Sequence, residues 1–205
     1  SVTVANGGTW SGAGGTFTPN ANALNATYAP SAGELAAGQV TLTLTTTGNN
    51  GCTAVNDAVS YTFTPAPTAN AGSDLNSCAN NASVALNGAI TVATGGLWTG
   101  GSGGFSPNNT ALNATYVPSA AEIAAGTATL TLTTVGNGLC SAVSDQVVVT
   151  IAPSPIVDAG TAQSVCANNA TLQLNGSVLN AAGGIWTGGG IFSPSSSALN
   201  ATYTP

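Results

Sequence analysis

The chain repeats itself with a period of 88 residues, and this period constrains its fold more than any other feature. Internal periodicity of this kind indicates an array of similar structural units. The positions that recur are Trp10, Trp98 and Trp186, with the pairs Cys52/Cys140, Cys78/Cys166, Phe17/Phe105, Glu34/Glu122 and Asp57/Asp145. The third copy is one residue shorter in a glycine-rich stretch, so Phe192 and Tyr203 follow their counterparts by 87 residues.

Proline pairs mark the boundaries between copies, because proline ends a strand-like run and a new Ala-Gly segment follows each pair. The pairs are Pro65 with Pro67 and Pro153 with Pro155. They predict a partial repeat without its first strands over residues 1–65, a complete repeat over 66–153, and a partial repeat without its last strands over 154–205. We therefore expect the chain to begin and end inside domains of a longer array.

Alternating apolar and polar residues predict β-strands with one face in a core and the other in water. Residues 83–87 and 129–133 alternate in this way, and 147–151 is a β-branched run. Shorter segments around Trp98 and Tyr116 bring the complete copy to about seven strands, which is typical of a sandwich. The predicted fold class is all-β: tandem antiparallel immunoglobulin-like β-sandwich domains with an 88-residue repeat.

One short helix is predicted in each of the first two copies. Ser31 is followed by Glu34 three residues later, and Ser119 is followed by Glu122 in the same way. This spacing is a capping box, and a glycine follows each segment as a helix end. Both glutamates of the chain are therefore expected to have structural roles.

The composition excludes most enzyme mechanisms. The chain has no Lys, Arg or His, and 3% of its residues are charged, whereas a typical soluble protein has about a quarter. General acid–base catalysis and phosphate chemistry depend on the missing side chains, so we expect no enzymatic activity. A net charge of −6 without any cation also excludes nucleic acid as a partner. No apolar run is long enough for membrane insertion.

The four cysteines are expected to form disulfides. There is no Cys-x-x-Cys motif and no His, which argues against zinc, and a nucleophilic cysteine would lack a base. A bridge between Cys78 and Cys140 inside the complete repeat is the first hypothesis, although simple strand alternation would place their loops at opposite ends of the sandwich. Bridges between adjoining domains are the alternative. Cys52 and Cys166 would pair outside the chain.

Trp10, Trp98 and Trp186 lie in a Gly-Gly-x-Trp-[Ser/Thr]-Gly motif that allows two interpretations. We expect each Trp to pack in a sandwich core, and the alternative is a platform on which a glycan stacks. A Trp98 enclosed by Leu86, Leu130 and Val148 would favour the core, whereas an open one would favour glycan binding. No cofactor is predicted. A calcium site at the aspartates is the weaker alternative to their role in turns.

These motifs together resemble the tandem immunoglobulin-like or PKD-like repeats of giant cell-surface adhesins in Bacteroidota. The resemblance rests on the Trp motif, Phe-x-Pro, Ala-Thr-Tyr-x-Pro, the Thr-Leu-Thr-Leu strand, and the Cys and Asp before the last strand. It implies export by the type IX secretion system, an extracellular location at the cell surface and, in some members, gliding motility.

The function predicted from the sequence is a structural stalk or filament segment that extends an adhesive tip. Its partners would be neighbouring repeats of the same chain. The alternatives are repeats that bind a glycan or another surface themselves, and self-assembly of copies into a filament through shared strands.

Overall fold

The computed structural model describes residues 5–205, and most of its regular structure is β-strand. Its contacts divide the chain into two compact units. One comprises the stretch up to Ala69 with 90–95 and 134–143, and the other comprises 70–89, 96–133 and 144–205. The repeat boundaries drawn from the proline pairs stay a prediction. Within the described residues, no helix is long and apolar enough to cross a membrane.

From residue 5 onward, the first repeat contains five strands and one short helix. The strands are β1 (Gly7–Ser11), β2 (Thr16–Thr18), β3 (Thr27–Ala29), β4 (Gln39–Thr47) and β5 (Asn56–Thr62), and helix α1 (Ala32–Ala37) lies between β3 and β4. One sheet has the order β1-β4-β5, and β2 pairs with β3. All the registers between these strands are antiparallel.

The middle repeat is a seven-stranded sandwich with an additional two-stranded ladder. Its elements are β6 (Thr68–Asn70), β7 (Leu75–Cys78), β8 (Val84–Ala85), β9 (Ala89–Thr91), β10 (Gly95–Gly100), β11 (Gly104–Ser106), β12 (Thr115–Val117), α2 (Ala120–Ala125), β13 (Thr127–Val135) and β14 (Ser144–Ala152). One sheet has the order β10-β13-β14-β7, the other has the order β11-β12-β8, and β6 pairs with β9. The all-β sandwich predicted from the sequence is confirmed.

The pairing of β7 with β14 departs from the antiparallel expectation. Strand β13 runs antiparallel to β14, with Leu130 opposite Val147, but β7 runs parallel to β14, with Leu75 opposite Val149. A parallel pair needs a crossover connection. The chain between β7 and β14 supplies it, because it passes through the second sheet and α2 before it returns.

The core of the middle repeat lies between its two sheets. The four-stranded sheet contributes Trp98, Leu130, Leu132, Val147 and Val149, and the three-stranded sheet contributes Val84 and Tyr116. Burial of each large apolar side chain stabilises the fold by about 1.5–3 kcal/mol. Val148 lies between two buried neighbours on β14 and is itself half-exposed. It therefore belongs to the opposite face, and the expectation that it encloses Trp98 is wrong.

The third repeat contains shorter elements. Its strands are β15 (Ile156–Asp158), β16 (Leu172–Gln173), β17 (Ser177–Leu179), β18 (Ile191–Ser193) and β19 (Thr202–Thr204), and a 3₁₀ turn spans Ala167–Asn169. Strand β15 pairs with β17, and a second sheet has the order β16-β19-β18. Phe192 lies opposite Tyr203, just as Phe105 lies opposite Tyr116 in the middle repeat.

Candidate functional site

A buried Tyr–Glu pair joins the second sheet of the middle repeat to helix α2. The Tyr116 hydroxyl donates to Glu122, with its oxygen 2.7 and 2.8 Å from the two carboxylate oxygens. The same hydroxyl accepts the Gly103 amide at 2.9 Å. Glu122 Oε1 accepts the Ser102 amide at 2.9 Å, and Oε2 accepts the Ser119 amide at 2.8 Å. The ionised carboxylate is thus surrounded by donors.

This donor set decides the charge state of the pair. Burial acts to raise the pKa of Glu122, but the hydrogen bonds from Ser119, Tyr116 and Ser102 outweigh it, so the pKa lies below its usual value. Burial, and then the neighbouring Glu122 carboxylate, raise the pKa of Tyr116 to about 12. At neutral pH the glutamate is therefore charged and the tyrosine is protonated.

The first repeat contains the same pair in a more exposed setting. Tyr28 donates to Glu34 at 2.7 Å and accepts the Gly15 amide at 2.7 Å. The amide of Ser31, the phenol of Tyr28 and the amide of Gly14 all donate to the carboxylate and lower the pKa of Glu34 to about 2. The arrangement is therefore a repeated feature of the fold.

The two pairs are parts of the helix caps that the sequence indicates. Ser31 accepts the Glu34 amide at 3.3 Å, and Ser119 accepts the Glu122 amide at the same distance. Each helix ends at a left-handed glycine, Gly38 or Gly126. The carboxylates hold a helix N-terminus, a strand and a glycine turn together, and in the middle repeat every donor around the carboxylate belongs to the fold. This geometry serves structure, because both oxygens of the Glu122 carboxylate accept backbone amides of the repeat.

Trp98 lies in the core of the middle repeat. Its side chain has 0% exposure, and its indole Nε1 donates to the Leu112 carbonyl at 3.3 Å. Asn109 fixes the backbone beside it, because the Asn109 side-chain amide donates to the Trp98 carbonyl at 3.2 Å. A completely enclosed indole presents no face to a sugar ring. The middle-repeat Trp therefore packs as a core residue and not as an open platform.

Trp10 and Trp186 are half-buried and border grooves lined mostly by apolar residues. The groove at Trp10 has a volume of about 350 Å³ and is lined by residues that include Phe17, Tyr28, Val40 and Leu42. The middle repeat fills the space beside Tyr116 with Val84 from β8 and its neighbour Leu86, both buried. The groove at Trp10 thus corresponds to the sandwich core of the middle repeat. Trp186 donates its indole N–H to Ala198 at 3.0 Å, as Trp98 does to Leu112.

The aspartates hydrogen-bond to backbone amides. Asp145 accepts the Ala71 amide at 2.8 Å, and Asp74 accepts the Val148 amide at 2.9 Å, so both carboxylates link the start of the repeat to β14. Asp57 and Asp158 accept amides one and two residues away. Across residues 5–205, no group of three or more His, Cys, Asp or Glu side chains is placed to hold a metal ion.

The structure does not join Cys78 to Cys140. Cys78 is at the end of β7, opposite Ala152 at the end of β14, whereas Cys140 lies in the loop that precedes β14. A nine-residue strand is about 30 Å long, and the Cα atoms of a disulfide are less than about 7 Å apart. The structure therefore does not support the bridge expected inside the complete repeat. All four cysteines, Cys52, Cys78, Cys140 and Cys166, are free in the 205-residue chain.

Comparison with known proteins finds remote similarities to solved structures. No protein-family model matches the chain, and no curated protein matches it. The solved structure of Protocadherin Gamma B7 extracellular cadherin domains 1-4 is 10% identical, with a TM-score of 0.43, 87% of this chain covered and 51% of that chain. The structure of Protocadherin Gamma B2 extracellular cadherin domains 3-6 is 12% identical, with a TM-score of 0.40, and the match covers 96% of this chain and 58% of that chain. The human Desmocollin-1 ectodomain is 8% identical, with a TM-score of 0.31, and the match covers 83% of this chain and 38% of that chain.

The chain thus spans between 38% and 58% of the length of these solved structures. They are similar to it over most of its own length, from 83% to 96%.

The Tyr–Glu pair is the structural centre that sequence reasoning missed. Its signal was the constant spacing of six residues between Tyr28 and Glu34 and between Tyr116 and Glu122. The capping box alone already explains the two glutamates, so the sequence gives no reason to connect them with a tyrosine six residues earlier. A Gly-Gly turn at Gly14-Gly15, matched by Ser102-Gly103, completes the pattern that could have identified it.

Proposed function

We propose that this chain is a structural segment of an extracellular adhesive stalk, in which tandem sandwiches carry a binding element away from the cell surface. The observation that carries the proposal is the burial, in the middle repeat, of the aromatic and acidic side chains that a binding repeat would expose. Trp98 and Tyr116 have 0% exposure, and Glu122 has 8%. The potential binding groups of the repeat are used to hold its own fold.

The periodicity supports the same function. Copies of one sandwich follow each other at 88 residues, and the segments between them are bracketed by prolines at 65 and 67 and at 153 and 155. Short proline-containing linkers leave neighbouring domains little freedom to bend. A protein built in this way gains length with each repeat. Neighbouring repeats of the same chain are its principal partners.

The resemblance to giant Bacteroidota adhesins supplies the finer part of the proposal. In that setting the stalk is exported by a type IX secretion system and carried on the cell surface, where it takes part in adhesion and, in motile cells, in gliding. The absence of Lys and Arg suits this location, because trypsin-like proteases find no cleavage site in the chain.

Labelling of intact cells tests the location. Antibodies raised against residues 66–153 should stain unpermeabilised source cells, and staining should be lost when the type IX export machinery is disabled. A cytoplasmic protein of the same cells serves as the control for intactness. Staining that requires permeabilisation would contradict the proposal.

Electron microscopy of the purified full-length protein tests the stalk itself. The expected image is a thin rod whose length increases in proportion to the number of repeats. Globular particles of constant diameter would contradict a stalk. Binding of glycans to the 205-residue chain alone would instead favour the repeats as binding modules.

A further inference from the structure

Two cysteine positions contact the same proline position of the repeat. The Sγ atom of Cys78 lies 3.8 Å from the Pro153 carbonyl oxygen, and that of Cys140 lies 3.7 Å from the Pro65 carbonyl oxygen. Pro65 and Pro153 are 88 residues apart and therefore equivalent. The first cysteine of a repeat thus lies at the proline that ends its own repeat. The second lies at the proline that ends the preceding repeat.

The loops that hold the cysteines keep the same hydrogen bonds in the other copies. Cys140 donates its amide to Asn137 at 3.1 Å, and Cys52 donates to Asn49 at 3.0 Å. The side chain of Asn137 donates to Thr134, just as that of Asn49 donates to Thr46. Cys78 and Cys166 accept the amides of Asn81 and Asn169, at 2.8 and 3.0 Å. Both placements are therefore properties of the repeat.

We infer that, where the array continues at this period, the first cysteine of each repeat forms a disulfide with the second cysteine of the next repeat. At a junction that holds both cysteines, the two sulfur atoms would be at most about 7.5 Å apart, because each lies less than 4 Å from the equivalent carbonyl oxygen, and χ1 rotation of the two side chains can shorten this distance. The inference rests on the tandem array of the proposed function and assigns the covalent links within it.

Exposure of the four thiols agrees with this assignment. Cys78 and Cys140, whose junction prolines lie within the chain, are half-buried. Cys52 and Cys166 occupy the same two repeat positions, but their junction prolines fall outside residues 1–205, and both are exposed. The partner of each of the four cysteines also falls outside these residues. The assignment therefore accounts for four free thiols in a chain of this length.

The junction also has support from the compact units of the chain. The loop of Cys140 belongs to the same unit as the first repeat, and its thiol lies 3.9 Å from the Thr64 carbonyl as well as near Pro65. Cys140 is thus held at the end of the neighbouring repeat. An inter-repeat bridge would fix this junction without crossing the sandwich core.

Bridge formation is a two-electron oxidation. Each pair of thiols loses two protons and two electrons as the S–S bond forms. A disulfide oxidant, such as oxidised glutathione or an extracytoplasmic dithiol oxidase, accepts them and is reduced to two thiols. Oxidising compartments outside the cytoplasm supply this chemistry.

Extending the chain by one segment tests the pairing. Pro205 aligns with Pro118, so a copy of residues 119–153 added after Pro205 completes the third repeat and brings in a copy of Cys140. The extended chain is equilibrated with reduced and oxidised glutathione, labelled with iodoacetamide, digested with chymotrypsin and analysed by mass spectrometry. The expected product is a single disulfide between Cys78 and the added copy of Cys140. Cys52, Cys140 and Cys166 should each carry a label.

Two cysteine variants separate this bridge from other pairings. Cys78→Ser should free the added cysteine and raise the label from three to four per chain, whereas Cys140→Ser should keep the bridge and lower the label to two. A Cys78–Cys140 disulfide, or five labelled cysteines in the folded extended chain, would overturn the inference. Non-reducing size-exclusion chromatography identifies bridges between separate chains, which would also overturn it.

A second extension gives an independent test if the first product does not fold. Ser1 aligns with Ala89, so a copy of residues 66–88 placed before Ser1 completes the first repeat and supplies a copy of Cys78. Here the expected bridge joins the added cysteine to Cys140, while Cys78 stays free. A bridge to Cys52 in this chain would contradict the inference. The staining of intact cells does not depend on which cysteines pair. Failure of the disulfide assignment is therefore distinguishable from failure of the proposed surface stalk.

Discussion

Glu122 shows how a chain with so few charges uses one of them inside a domain. Its side chain is 8% exposed, and an ionised carboxylate at that depth is costly unless hydrogen bonds surround it. Ser102, Ser119 and Tyr116 supply those bonds. The middle repeat therefore depends on the charged form of this residue and on the protonated form of its tyrosine partner.

This dependence predicts a loss of stability at both ends of the pH scale. The folded pKa of Glu122 lies below its usual value of 4.5, so its stabilisation is complete above pH 4.5 and is lost as the pH falls through the folded pKa. The folded pKa of Tyr116 is raised from 10.0 to about 12, so its contribution is complete below pH 10 and is lost as the pH rises through 12. The unfolding temperature of the middle repeat should fall in both windows.

Fluorescence of Trp98 measures this in a background that carries Trp10→Phe and Trp186→Phe. Glu122→Gln should lower the unfolding temperature at pH 7 and flatten the decline below pH 4.5. Tyr116→Phe should remove the decline above pH 10 that is specific to this pair. If the unfolding temperature of Glu122→Gln fell with acid as steeply as that of the parent, the role assigned to ionised Glu122 would be contradicted.

Gly103 and Gly104 make a matched pair at the same turn. A Cβ on Gly103 would collide with the Val117 carbonyl oxygen and come within 2.8 Å of the Tyr116 hydroxyl, whereas a Cβ on Gly104 would meet nothing within 4 Å. Gly103→Ala should therefore destabilise the middle repeat by about 1–3 kcal/mol, and Gly104→Ala should change its stability by less than about 0.5 kcal/mol. Urea unfolding followed by Trp98 fluorescence compares them, and equal midpoints would refute the expectation.

Patterns at the level of residues predict the part of the Tyr–Glu pair that is local in sequence, which is the helix cap. The Ser-x-x-Glu spacing is sufficient for both helix caps, because a capping box depends on four consecutive residues. The contacts of Tyr116 with Glu122 and Gly103 depend on how β11, β12 and α2 pack. Such packing has no consistent sequence spacing beyond a single family of repeats, so the link between helix and sheet emerges only from the structure.

At the level of elements, strand β14 decides the core, because it lies between β13 and β7. The sequence predicts this strand, since a β-branched run at 147–151 indicates a buried strand. A continuous apolar run does not tell which residues face the core, which is why Val148 was placed on the wrong face. Its parallel partner β7 was not predicted either, because pairing between the first and last strands is a property of the whole sandwich.

Threonine substitutions on β14 test this assignment of faces. Thr has nearly the shape of Val but adds a hydroxyl, which is costly where no partner is available. Val149 has 0% exposure, so Val149→Thr should destabilise the middle repeat by about 1–3 kcal/mol. Val148 is half-exposed, so Val148→Thr should cost less than about 0.5 kcal/mol. Denaturation followed by Trp98 fluorescence gives the midpoint of each variant. A lower midpoint for Val148→Thr than for Val149→Thr would show that the faces are assigned wrongly.

For the whole molecule, the covalent path through the array decides how far it stretches under load. From the first cysteine of one repeat, an inter-repeat bridge leads directly to the second cysteine of the next. From there the chain runs 26 residues, as it does from Cys140 to Cys166, to the first cysteine of the repeat after that. Two repeats are therefore spanned by 26 residues of chain. A bridge within each repeat would leave 26 residues for every repeat, and a reduced array would leave all 88.

Single-molecule stretching distinguishes these three paths. An extended residue spans about 3.5 Å, so the maximum length per repeat is about 45 Å with inter-repeat bridges, about 90 Å with bridges inside each repeat and about 300 Å without bridges. The nine residues of β14 already span about 30 Å in the folded sandwich. An oxidised array of eight repeats, built by continuing this sequence at its period, should therefore lengthen by at most about 15 Å per repeat at forces that unfold its domains. Dithiothreitol should restore unfolding steps of about 270 Å per repeat, the extended length of about 300 Å less the folded length of about 30 Å. Steps of that size before reduction would show that the repeats are not bridged.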